Sequence, residues 1–307
     1  MEFSHISVLL NECIEALDIK PDGIYVDGTA GGAGHSSEIA KKLASGRLVA
    51  IDKDPDAVQT ATERLAPYTC AQVVRGDYSS VKEILASLKI EHINGMLLDL
   101  GVSSYQLDTA ERGFSFHKDA PLDMRMSREG LSAKDIVNTY SYEQLAKILW
   151  EYGEERFSRR IADAIVQSRA VKPIETTFEL VDIIKSAMPA AAMREGHPAR
   201  RSFQALRIAV NGELEQLAEA VNDAFDLLAP GGRLCIITFH SLEDRIVKQR
   251  FVEFTKGCTC PPDFPVCVCH KTPRGRLVYK KPIEPSQQEL DQNPRSRSAR
   301  LRVIEKL

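Results

Sequence analysis

The 307-residue chain lacks any run approaching about 18 apolar residues, so no segment has the length of a membrane span. It also lacks an excess of charge: the formal net charge is −3, which excludes the global positive field of a general nucleic-acid binder. Aromatics make up 7% of the chain, with a single tryptophan. The start, Met1-Glu2-Phe3-Ser4-His5, has no basic residue leading into an apolar stretch, so no secretory leader is expected and the expected location is cytoplasmic. The seven cysteines are odd in number, and Cys13, Cys70 and Cys235 are scattered, which does not make a disulfide framework. Internal repeats are absent. What remains is an ordinary globular composition, 43% hydrophobic, long enough for two domains of roughly 100–200 residues each.

The most informative stretch is a short apolar strand, Ile24-Tyr25-Val26, that runs into Asp27-Gly28-Thr29-Ala30-Gly31-Gly32-Ala33-Gly34-His35. An amphipathic helical pattern follows over 37–44, and the next apolar run, Leu48-Val49-Ala50-Ile51, ends in Asp52. A strand, a glycine turn, a helix and a second strand closing on an acid make a site for a nucleoside-type cofactor. Glycine permits close approach of a ligand to the backbone. The helix start offers unpaired N–H groups to an anion, and the acid can accept hydrogen bonds from ribose hydroxyls.

The alternation continues. Asp54-Pro55 is a helix start, an N-cap acid before proline at the first helical position. A third strand over 72–74 ends near Asp77-Tyr78, and a fourth over 93–99 is apolar enough to be buried on both faces. Repeated βαβ units predict a doubly wound, parallel α/β sheet. The next buried strand, 233–239, comes far later than the roughly 30 residues that a crossover needs. The surplus reads as helical, with a capping box at Ser141 and Gln144 and amphipathic stretches over 156–170 and 177–188. The spacing therefore predicts a discontinuous sheet domain, 1–105 and 206–307, holding a helical insert, 106–205. One helix over 208–228 is expected to lead back into the sheet. A helix is expected to be capped at Ser241, and late edge strands are expected at 277–279 and 301–304.

The glycine loop constrains the cofactor by what it omits. A dinucleotide fingerprint wants a third glycine or alanine where Ser37 stands, and a triphosphate loop wants a lysine that is missing. S-adenosylmethionine fits better. Its carboxylate suits the loop N–H groups, its ammonium an acid such as Asp27, its ribose Asp52, and its adenine Tyr78 beside Asp77. A nicotinamide-dependent oxidoreductase stays as an alternative, as does a nucleic-acid-binding module with a vestigial site.

The fourth strand end brings a specific likeness. Leu97-Leu98-Asp99-Leu100-Gly101-Val102-Ser103-Ser104, Gln106-Leu107-Asp108, Arg112-Gly113-Phe114-Ser115-Phe116 and Pro121-Leu122-Asp123-Met124-Arg125-Met126 resemble the bacterial small-subunit ribosomal RNA cytosine-N4 methyltransferases, the RsmH/MraW family. The run from His5 to Leu10, Phe239-His240-Ser241-Leu242-Glu243-Asp244-Arg245 and Asn293-Pro294-Arg295-Ser296-Arg297 match as well, so the likeness covers nearly the whole chain. It implies a Rossmann-like class I methyltransferase sheet. It implies S-adenosylmethionine as cofactor, 16S rRNA or the small subunit as partner, and a decoding-centre cytosine N4 as target. A DNA amino-methyltransferase differs only in substrate and stays as an alternative. A homodimer is left open, and no membrane is implied.

By the same resemblance the cofactor residues are Gly32, Ala33, Gly34, His35, Asp52, Tyr78, Asp99 and Gln106. Asp99 is also the candidate catalytic residue, with Ser103, Ser104, Tyr105 and His240 as nearby alternatives. Where relatives often carry phenylalanine beside the adenine, this chain has Tyr78. The stretch 97–102 holds the acid that many amino-methyltransferases use, but neither their prolines nor their aromatic.

Two features remain. Residues 271–306 carry ten Lys or Arg against four acids, a basic tail on an acidic body. That fits a phosphate-facing edge or a solvated tail. Arg112, Arg125, Arg128, Arg194, Arg200, Arg201 and Arg207 are further candidate phosphate contacts. Cys258, Cys260, Cys267 and Cys269 pack four thiols into twelve residues. In a reducing compartment this suggests metal ligation more than disulfides, although C-x-C is tighter than the common zinc spacing and free thiols are an alternative. No metal is assigned to the candidate active site.

Overall fold

The computed structural model describes residues 7–258, 260, 266, 269 and 271–307, with Glu195 by its backbone alone. His5 and Cys267, singled out above, lie outside the described residues. The chain divides into two compact units, residues up to Gly101 together with Leu214–Leu307, and Val102–Glu213.

The first unit is built on a seven-stranded sheet: β1 (Ile24–Asp27), β2 (Arg47–Asp52), β3 (Ala71–Arg75), β4 (Ile93–Asp99), β5 (Leu228–Thr238), β6 (Gly275–Leu277) and β7 (Arg300–Lys306). The spatial order is β3-β2-β1-β4-β5-β7-β6. Pairings among β1 to β5 are parallel, while β7 runs antiparallel between β5 and β6. This is the Rossmann-like class I methyltransferase arrangement. Chain order reverses between β1 and β4, so the crevice outside their carboxyl ends is the natural ligand position.

Period-two alternation divides the sheet's side chains between two cores. Val26, Met96, Leu98, Leu234 and Ile236 pack on one face, against Leu85, Phe225 and Phe251 from the covering helices. Tyr25, Leu97, Cys235 and Ile237 pack on the other, against Cys13, Ile39 and Leu65. Burial on both faces is why these strands read as continuous apolar runs.

The second unit is helical and has its own core, in which Leu145, Leu149, Ile161, Ile165, Leu180 and Ile184 meet. Its helices Ala133–Thr139, Tyr142–Glu151 and Thr177–Ala187 each begin in a capping box, including the one expected at Ser141 and Gln144. None of the described helices is long and apolar enough to cross a membrane.

Three expectations are corrected. The single helix over 208–228 is two, Arg200–Asn211 and Glu213–Leu227, because Gly212 takes a left-handed φ of 61° and stops the first. Of the late strands only β6 is an edge. β7 is interior, with Leu301, Val303 and Ile304 fully covered. The helix Ser241–Thr255 is capped by His240, whose Nδ1 accepts from the Glu243 N–H at 3.5 Å, and not by Ser241.

Candidate cofactor and active site

The site is assembled from four strand ends. At the end of β1 the chain turns through Gly28, where a Cβ would stand 2.5 Å from Leu98 Cδ2 and 3.2 Å from Tyr78 Cβ, so only glycine lets β1, β4 and the third-strand end close up. Gly31 and Ala33 both adopt left-handed backbone, at φ 50° and 59°. The loop then feeds the helix Gly34–Lys42, whose first N–H groups have no intrahelical acceptor.

Each acid has a distinct status. Asp27 is buried, and both its oxygens are committed to the loop: Oδ1 accepts the Thr29 N–H at 3.2 Å and Oδ2 the Ser36 hydroxyl at 2.5 Å. Burial still raises its carboxyl to about 6. Asp27 thus braces the loop through one bond on each oxygen. Asp52 accepts the Gly31 N–H on Oδ2 and the Asp54 N–H on Oδ1, both at 2.8 Å. Each oxygen keeps a second lone pair for a hydroxyl. Burial raises this carboxyl to about 6 against the pull of those bonds.

Asp77 caps the turn that begins with Tyr78 by accepting the Ser79 N–H at 2.9 Å. Burial works against its charge, but Lys53 at 3.1 Å and the Ser79 N–H outweigh it and hold the carboxyl below its ordinary value.

Asp99 differs from the other three. Its backbone N–H donates to Thr29 Oγ1 at 2.6 Å, which ties β4 to the glycine loop. Its side chain keeps 20% of its surface, yet Oδ1 is fully buried and has no hydrogen-bond partner among the described residues. Burial, with Asp27 and Glu243 nearby, raises it to about 8. An unpartnered buried acceptor costs about 1–3 kcal/mol, which a ligand's donor would recover. The imidazole of His35 stands 3.9 Å away by Nδ1, but this is not an ion pair. Burial lowers the ring to about 4, and its Nε2–H donates to the Val8 carbonyl at 3.0 Å.

The structure therefore brings Gly32, Ala33, Gly34, His35, Asp52, Tyr78 and Asp99 to the strand ends of one unit. Gln106 belongs to the other, where its side chain closes a capping box with Ser103. Sequence reasoning missed Thr29 and Ser36, the hydroxyls that fix Asp99 and Asp27. Thr29, two residues after the strand-terminal Asp27, had that position as a signal; Ser36 lies nine residues on, inside the helix Gly34–Lys42, with no such signal.

The arginine expectations are corrected in part. Arg112 is buried and donates to the Arg125 and Met126 carbonyls at 3.0 and 2.9 Å. Arg125 grips Asp123, and Arg207 forms a two-pronged pair with Glu213 at 2.9 and 2.8 Å. The basic tail is also widely neutralised at home: Arg302 pairs with Asp244, Arg276 with Glu305 and Arg274 with Asp226. Missed instead was a groove of the helical unit, lined by Lys147, Trp150, Arg156, Arg159 and Arg160, with Glu143 also present. Trp150, the sole tryptophan, is 60% exposed. Leu145 and Leu149 form the buried stripe of its helix, and Trp150 falls off that stripe.

The family model described as the MraW methylase family matches residues 2–307. A protein named ribosomal RNA small subunit methyltransferase H from Clostridium botulinum (strain Kyoto / Type A2) is 58% identical over 309 residues, covering 100% of both chains. One of the same name from Lachnospira eligens is 55% identical, covering 100% of this chain and 99% of its own. Among solved structures, an rRNA methylase from Streptococcus thermophilus aligns at 12% identity with a TM-score of 0.44, covering 99% of each chain. A match along essentially the full length, at more than half identity, leaves one conclusion: the chain belongs to the MraW methylase family.

Proposed function

We propose that this chain is an S-adenosylmethionine-dependent methyltransferase of small-subunit 16S rRNA that methylates the exocyclic N4 of a decoding-centre cytosine, and that it works in the cytoplasm. The observation that carries the reading is the unlike pair of acids at the switch point. Asp52 is pre-bonded with lone pairs to spare, and Asp99 has an orphaned buried oxygen. That pair of acceptors fits the cofactor, which presents ribose hydroxyls to the first and a cationic or amine donor to the second.

When bound, S-adenosylmethionine supplies an electrophilic methyl on a sulfonium. The chain's own residues do the rest. The N–H groups opening the helix Gly34–Lys42 receive a carboxylate. Asp52 holds the ribose, and the Tyr78 ring flanks the adenine. Neutral His35 fixes the N-terminal segment through Val8 without adding positive charge near Asp99. Asp99 accepts from the cofactor's ammonium or from the target amine, and so orients its donor. Because the N4 lone pair is delocalised into the ring, positioning contributes most of the rate. The amine loses its proton readily once methylated, so no strong base is needed beforehand. Extracting the cytosine from its stack costs a few kcal/mol, which contacts on the 102–213 unit help to offset.

The test is methylation with labelled cofactor of small subunits from a strain deleted for the homologous gene, followed by mapping of the modified nucleotide. Label on one cytosine N4 supports the proposal. Label on DNA alone, or a thermal shift with NAD but not with S-adenosylhomocysteine, refutes it.

A further inference from the structure

The chain between the helix Ser241–Thr255 and β6 is an excursion closed at its base. The Arg274 N–H donates to the Phe254 carbonyl at 2.9 Å. A Cβ on Gly257 would stand 3.2 Å from Pro273. Val266, its one described large apolar side chain, is 70% exposed.

Three of its cysteines nevertheless converge. The Sγ atoms of Cys258, Cys260 and Cys269 lie within 4.8 Å of one another. Those of Cys258 and Cys269 are 3.7 Å apart. Bonded disulfide sulfurs stand about 2.05 Å apart, so these two are not joined to each other. Thiolates at about 2.3 Å from a tetrahedral zinc stand about 3.8 Å apart along an edge of the tetrahedron, which is the spacing seen here. The Cys260 N–H also points at Cys258 Sγ, at 3.4 Å. Cys258 and Cys269 are exposed, so burial does not explain their gathering.

We propose that Cys258, Cys260 and Cys269 form a zinc site that staples this excursion, separate from the strand-end site. The three thiolates fill three of the four tetrahedral positions, and binding releases their protons. Thiolate softness selects zinc over magnesium or calcium, which take oxygen ligands. The role is structural: the metal holds Cys258, Cys260 and Cys269 together between the helix Ser241–Thr255 and β6, as it does in small metal-held modules.

The test uses the full chain, expressed with zinc and purified under reductant without chelator. Elemental analysis should find about one zinc per chain in the wild type and in Cys70→Ser, and at least a ~10-fold loss in Cys258→Ser and Cys269→Ser. A second measurement guards against variants that fail to fold: cobalt added to the metal-stripped wild type should give thiolate-to-metal charge-transfer bands and the visible absorption of a tetrahedral ion. Zinc absent from reduced wild-type protein, an octahedral cobalt spectrum, or a mass lower by two hydrogens that dithiothreitol restores would each overturn the proposal. Methyl transfer is not the readout, so the result is independent of the proposed activity.

Discussion

Replacing Asp99 with asparagine should stabilise the ligand-free protein while damaging its site, and the size of the effect should depend on pH in a defined way. Burial, helped by the charges of Asp27 and Glu243, raises the Asp99 carboxyl from an ordinary 3.8 to about 8. Between those values the folded protein keeps a proton that the unfolded chain has lost. Stability therefore falls as pH rises, by about 1.4 kcal/mol per unit for this group. The penalty begins near pH 4 and stops growing near pH 8. Asparagine is neutral in both states and has no such slope. The stability difference, Asp99→Asn minus wild type, should thus grow by about 3 kcal/mol between pH 5 and pH 7. Subtracting the two curves removes most of the contribution of Asp27 and Asp52, which titrate in both proteins. The assay is urea unfolding at pH 5, 6, 7 and 8, paired with calorimetry of S-adenosylhomocysteine. Weaker binding together with the rising difference is the expected pattern. A difference that stays flat across pH, or a variant less stable than wild type at pH 8, would refute the electrostatic account of this residue.

Other expectations follow from the same geometry. Asp52→Ala removes the acceptor offered to the ribose, and a loss of about 1.5–3 kcal/mol weakens cofactor binding ~10–150-fold. Unchanged affinity by calorimetry would remove Asp52 from the site. Gly28→Ala drives a methyl into Leu98 and Met96, and denaturant titration should register about 1–3 kcal/mol of lost stability. Trp150→Ala should leave the thermal midpoint nearly unmoved, since the ring is mostly exposed, but weaken RNA binding by about 1–3 kcal/mol if a base stacks there. As the chain's only tryptophan, Trp150 reports on itself: its fluorescence should be quenched by RNA, and an unaltered spectrum at saturating RNA would exclude the groove.

The parts of the site legible from residue order are those where one local signal does all the work. Asp52 and Asp99 end apolar runs, and an acid ending a buried parallel strand must lie at its carboxyl edge. The helical unit was visible as surplus length between two strands that had to pair. What escaped depends on contacts between distant residues. Gly212 resembles any helix interior glycine until its backbone is seen turning left-handed. Arg112, Arg125 and Arg207 look like surface cations, yet each is held by a carbonyl or carboxylate that composition does not reveal. β7 reads as an edge because its sequence alternates, but Arg302 and Glu305 face paired groups, not solvent. His240 drew attention as a strand-end histidine, and its Nδ1 caps the helix that follows.

The break in the sheet unit also bears on how the chain reaches this fold. β4 and β5 lie side by side, Met96 opposite Leu234 and Leu98 opposite Ile236, although the chain leaves this unit after Gly101 and re-enters at Leu214. In a disordered chain that pairing closes a loop of more than ~100 residues, at an entropic cost that rises with the logarithm of loop length. The intervening residues hold a complete core of their own, made by helices close in sequence, and contacts of that kind form fast. A helical unit that folds first turns a long floppy tether into a single body with two fixed attachment points. The insert then serves assembly of the sheet, because β4 and β5 cannot pair until both sides of the interruption have met.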